Sequence, residues 1–186
     1  MVYRRIFIVI SLLVLFTEVE SQSLRLGLRI EPSILFMEDK NKSVISFTPY
    51  SFYFNSIVAI TNWLTIEVRP GLFLASQEFS GFELGAFAKL NILPECAYIV
   101  AGLNNHSNSV SGSNSGGSYA KRILFKGIGI GFQKDSKLNF DLMYYWTNDK
   151  EYGYSRRTDS SGLTESYSKM INGILKIGFS LSWNIF

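Results

Sequence analysis

One histidine and one cysteine are all this chain offers among the side chains most used in nucleophilic and transition-metal chemistry. His106 stands in the run Asn104-Asn105-His106-Ser107-Asn108-Ser109, where a His near a Ser and a carboxylate would make a base and its nucleophile. The spacing works against that arrangement. Asn108, not a serine, stands two places after His106, and no acidic residue follows until Asp135, so an orienting carboxylate would have to come from another strand. The residues therefore read as a loop histidine without a partner. Glu67, Glu83 and Asp141 are a second candidate, an acid/base set, but Arg and Lys at the same parity make charge neutralisation the more economical account. Cys96, beside a short turn, reads as an inert packed thiol. Gly127, Gly129 and Gly131 mimic part of a nucleotide-binding fingerprint with no helix after it. The expectation is a chain without catalysis, cofactor or metal.

The elements that must position these residues are set by composition and periodicity. The chain has 186 residues, 47% hydrophobic, 15% aromatic and 18% charged, which suits one well-structured domain. A formal charge of +3, with scattered Lys and Arg, argues against a nucleic-acid surface, and a single Cys excludes an internal disulfide framework. Residues 1–21 carry Arg4 and Arg5 ahead of a short apolar run, the pattern of a cleaved export signal. The run is too short for a helical span, which needs roughly 20 residues. The expected folded domain is therefore 22–186.

Within it, apolar residues recur at every second position, the period of a half-buried strand. Eight segments show this: Leu24 to Ile30, Tyr50 to Ile60, Leu64 to Leu72, Phe82 to Leu90, Cys96 to Asn104, Leu124 to Phe132, Leu138 to Trp146 and Ile171 to Trp183. The fifth is too uniformly apolar for its faces to be told apart. Connections after segments two, four and six are short, whereas the others tend to be long and polar, up to Asn104 to Ser118 and Thr147 to Tyr167. Even-numbered antiparallel strands with tight turns at one end and long loops at the other are the layout of a transmembrane β-barrel.

A water-soluble lipocalin-like barrel would share that rhythm, so the two faces must be compared. One face is apolar, with Phe82, Tyr144, Trp146 and Trp183 toward strand ends, as in an interfacial aromatic girdle. The other combines Gly with nine charges, Arg25, Arg29, Arg69, Lys89 and Lys176 against Glu31, Glu67, Glu83 and Asp141, which nearly neutralise one another in a narrow lumen. Small residues would make room there for long side chains. Lys126 departs from the pattern. Its parity puts it on the lipid face, so it must lie at headgroup level or follow a bulge.

On the export signal, the strand rhythm and the aromatic C-terminus, the chain resembles the OmpA/OmpX-type outer-membrane barrels of Gram-negative bacteria. The resemblance covers 22–186 and implies an all-β, eight-stranded, antiparallel up-and-down transmembrane barrel. It further implies residence in the outer membrane among lipid and lipopolysaccharide, and insertion by the barrel assembly machinery. Lys176, Gly178, Leu181, Trp183 and Phe186 match the assembly signal, with Phe186 out of phase with Trp183. No peptidoglycan-binding domain is expected after the last strand. The function that follows is a structural or surface-interaction role, with loops 104–118 and 147–167 available to an extracellular ligand. The alternatives are a small solute channel, a lipid A-modifying enzyme and a soluble lipocalin-like binder.

Overall fold

The computed structural model describes residues 23–48, 50–75, 79–93, 96–113, 115–134, 137–158, 160 and 162–185. The expected export signal and Phe186 lie outside them. Thirteen strands among these residues form one antiparallel sheet. They are β1 (Ser23–Ile30), β2 (Ser33–Asp39), β3 (Lys42–Thr48), β4 (Tyr50–Ala59), β5 (Leu64–Leu74), β6 (Ser80–Leu93), β7 (Ala97–Asn108), β8 (Ser111–Ser113), β9 (Gly116–Ser118), β10 (Arg122–Lys134), β11 (Leu138–Trp146), β12 (Glu151–Thr158) and β13 (Thr164–Asn184).

Eight of them close into a ring, in the order β1, β4, β5, β6, β7, β10, β11, β13. Closure comes from β1, which pairs with β4 on one side and with β13 on the other, from Arg25↔Asn184 to Ile30↔Phe179. The remaining strands prolong the ring at one end. After an interruption at Glu31-Pro32, where proline supplies no ladder donor, β2 continues along β13 and pairs with β3. Lys40 and Asn41 turn that hairpin with φ of 52° and 60°, the positive pair that a two-residue hairpin turn requires. β12 pairs with the far end of β13, and the β8/β9 hairpin lies against β12.

These extensions correct the expectation of long irregular loops. β2 with β3, β8 with β9, and β12 with the start of β13 form hairpins there, and strands that stand beyond the lipid need no apolar alternation on their outer face. Their pairing is therefore silent in the hydropathy pattern.

The two faces sort as the bilayer arrangement requires. Leu28, Phe54, Leu72, Phe82, Leu84, Ile128, Ile130, Phe132, Phe179 and Leu181 point outward and are exposed, while Arg29, Glu67, Arg69, Glu83 and Lys176 are almost completely buried. An apolar band this continuous would be untenable facing water, and is what the hydrocarbon of a membrane covers. No helix among the described residues is long and apolar enough to cross a membrane.

Candidate functional site

The lumen holds the charged side chains in one connected array. Arg29 of β1 donates to Glu31 at 2.5 Å and also to Asp141 of β11. Arg69 of β5 reaches Glu31 at 3.4 Å, Asp141 at 3.3 Å and Glu67 at 3.0 Å. Lys89 of β6 pairs with Glu67 at 2.6 Å. Lys176 of β13 meets Glu83 at 2.6 Å and Glu31 at 3.4 Å, joining the two halves. Four acids thus hold four cations in a continuous network, and Arg25 is buried on the same face of β1.

Neutral donors complete the shell. Tyr53 and Asn104 donate to Glu83 at 2.6 and 2.7 Å, Asn55 to Glu67 at 3.2 Å, and Tyr98 to Asp141 at 3.2 Å. Rings pack on the cations, with Arg69 4.3 Å above Phe87 and Lys176 4.4 Å from Phe73. Glycine is needed where these bulky groups lie against the wall. A Cβ on Gly131 would strike the Tyr98 ring, and one on Gly178 the Arg29 guanidinium.

Nearer the end that carries the hairpins, the interior changes character. Leu35, Phe73, Phe79, Ile123, Phe125, Tyr152 and Ile171 form a buried apolar layer. The sequence reading described the inward face as charges and glycine, and missed this layer. Phe73, Ile123 and Phe125 share the inward parity but look like any apolar residue of a hydrophobic strand, whereas Ile171, expected on the apolar outer face with Leu175 and Ile177, is turned inward by the register shift between Ile171 and Gly173.

His106 lies in this layer, which corrects the expectation of a loop histidine without a partner. β7 runs on to Asn108, and the imidazole is completely buried directly across from Glu83 on β6. Its Nδ1 is 3.2 Å from Glu83 Oε1, its Nε2 is 3.3 Å from Asn108 Oδ1, and its ring stacks on Phe79 at 4.5 Å. The carboxylate does come from a neighbouring strand. Both ring nitrogens are engaged, which fixes the orientation of the ring. Cys96, expected to be packed, is exposed in the turn between β6 and β7. Among the described residues no cluster of His, Cys, Asp and Glu could hold a metal ion.

The residues of the assembly signal divide between the faces. Lys176 and Gly178 point into the lumen, Leu181 and Trp183 onto the apolar exterior, and β13 ends at Asn184. Lys126 faces outward, and β10 runs without a bulge past it. A cavity of about 690 Å³ is lined by outward Leu28, Ile30, Phe52 and Phe179 together with lumen-side Arg29 and Tyr53.

With ring closure and inverted faces established, solved structures give the comparison. The chain is similar to the N-terminal β-barrel domain of Pseudomonas aeruginosa OprF, with a TM-score of 0.51 and 9% identity over 88% of this chain and 100% of that one. The fold is that of a small outer-membrane β-barrel. Neisserial surface protein A is similar over 87% of this chain and 99% of that one, at TM-score 0.47 and 17% identity. The outer membrane protein OprG of Pseudomonas aeruginosa is similar over 88% and 96%, at TM-score 0.46 and 8% identity. No protein-family model matches the sequence, and no curated protein matches it. What unites the barrel with these structures is architecture.

On the hairpin side, the barrel carries a paired polar surface. Arg156 stacks 4.9 Å from the Tyr154 ring, Tyr119 lies 5.7 Å from the same ring, and Ser155 donates to Asp39 of β2 at 2.6 Å. Tyr167 donates to Glu165, and that hydrogen bond to a carboxylate pushes its phenol above the usual range.

Proposed function

We propose that this barrel resides in a bacterial outer membrane and acts as a structural and surface-contact protein, neither passing solutes nor catalysing a reaction. The observation that carries the reading is the lumen itself, crossed by the ion-paired network from Lys89 to His106 and backed by an apolar layer. Opening a water path would mean pulling apart a network whose members are buried and paired with one another. The exposed chemistry lies in the hairpins, where Tyr and Arg supply adaptable contact groups. Insertion by the barrel assembly machinery through the face formed by Leu181 and Trp183 belongs to the same reading.

The test is planar-bilayer recording with folded protein. The expected trace shows no discrete conductance steps at any salt concentration. Sustained, salt-dependent single-channel steps would overturn the reading in favour of a conduit. The non-enzymatic part is tested by incubating the barrel with lipopolysaccharide, where unchanged acylation is expected and deacylation lost in His106→Ala would contradict it.

A further inference from the structure

We infer that the outer wall around Lys126, Trp146 and Lys150 is a docking site for the phosphorylated headgroup of an outer-leaflet glycolipid, the bisphosphorylated lipid A of lipopolysaccharide. The inference rests on the outer-membrane reading and deepens it.

The site is defined by register. Lys126 on β10 stands directly opposite Trp146 on β11 and Leu103 on β7. The row toward the hairpins pairs Leu124 with Asn105, and the next pairs Arg122 with Ser107, so the wall turns polar just beyond Lys126. The row on the other side pairs Ile128 with Tyr144, whose ring stacks on Trp146 at 6.3 Å. On the far flank of Trp146, Lys150 donates to Asn172 Oδ1 of β13 at 3.2 Å. Adjacent strands lie roughly 4.8 Å apart. Lys126 on β10 and Lys150, held against β13, therefore stand on opposite sides of the strand that carries Trp146.

The level of this group follows from the same strand. Outward positions of β10 run Arg122, Leu124, Lys126, Ile128, Ile130, Phe132, Lys134, so a lysine bounds the apolar run Ile128 to Phe132 at each end, with one further leucine between Lys126 and Arg122. Eight residues of strand span roughly 26 Å, and the tilt of barrel strands reduces that toward the roughly 25 Å height of a barrel's apolar band. Trp146 tops the matching stretch of β11, Leu138, Phe140, Leu142, Tyr144, as an interfacial aromatic does. Lys126 is thus placed where a long stem lies along hydrocarbon and the ammonium reaches headgroup phosphate.

Charge decides the occupant. Among the described residues Lys126 has no carboxylate partner, and the nearby Asp149 is taken by Lys121 at 2.5 Å. Lysine binds phosphate as a compact point charge, and two on one patch suit a headgroup with two phosphates better than a zwitterionic one.

The test is native mass spectrometry of the refolded full chain in detergent, offered bisphosphorylated lipid A, monophosphorylated lipid A or phosphatidylglycerol. The wild-type barrel is expected to retain the bisphosphorylated form preferentially. The Lys126→Ala, Lys150→Ala pair should lose about thirtyfold in affinity, and Lys134→Ala, which removes the same charge at the opposite end, should bind as wild type. Equal retention by the double variant, or equal binding of phosphatidylglycerol by the wild type, would overturn the proposal. Each protein is first run unboiled and boiled on a gel. A shift without lipid A preference rejects the site and leaves the barrel standing, whereas a wild-type chain that shows no shift rejects the barrel and the site together. Should the alanine pair fail to shift, Lys126→Gln with Lys150→Gln removes the charges while keeping most of each stem, and must show the same loss.

Discussion

Glu83 is one of the residues on which the interior network converges. Its carboxylate accepts from Tyr53, Asn104 and Lys176 and faces His106, so three strands besides its own converge on one side chain. Glu83→Ala would leave Lys176 without its nearest counter-charge in a buried site. The expected loss is about 3–5 kcal/mol, read as a lower urea midpoint in tryptophan fluorescence. An unchanged midpoint would mean that the network is not what packs the lumen. The inward charges could be placed from parity, since they fall on the positions opposite the apolar ones, and the same parity puts Lys126 on the outer wall. The partner of His106 could not, since a contact between β6 and β7 depends on register, which alternation does not fix. Phe73, Ile123 and Phe125 were hidden for a related reason, as nothing in an apolar side chain says which face it serves.

At the scale of the elements, membrane-crossing segments could be read and water-exposed ones could not. Leu138 to Trp146 was recovered to the residue because lipid on one side and lumen on the other enforce a period of two. β13 extends to Thr164, well before the expected Ile171, since its first turns of pairing with β12 occur in water. The β8/β9 hairpin pairs with β12 and takes no part in ring closure. Replacing residues 110–118 with a short turn should therefore leave the boiled-versus-unboiled gel shift intact, while removing part of the surface that an extracellular ligand would meet. Loss of the shift in that variant would show that the hairpin is needed to close the barrel.

For the whole molecule, the central claim is that the polarity of a water-soluble fold is inverted, with charges within and a greasy wall without. Sequence legibility was highest here. Eight segments, their alternation and the placement of aromatics at strand ends led to a closed barrel with lipid outside, and the ring of eight staves closes through β1 and β13. The most direct measurement is a heat-modifiability gel on detergent-extracted outer-membrane fractions. A closed barrel keeps its shape in cold detergent, so the unboiled chain should recover from that fraction and migrate differently from the boiled one. Recovery in the aqueous fraction, with identical mobility before and after boiling, would contradict the account.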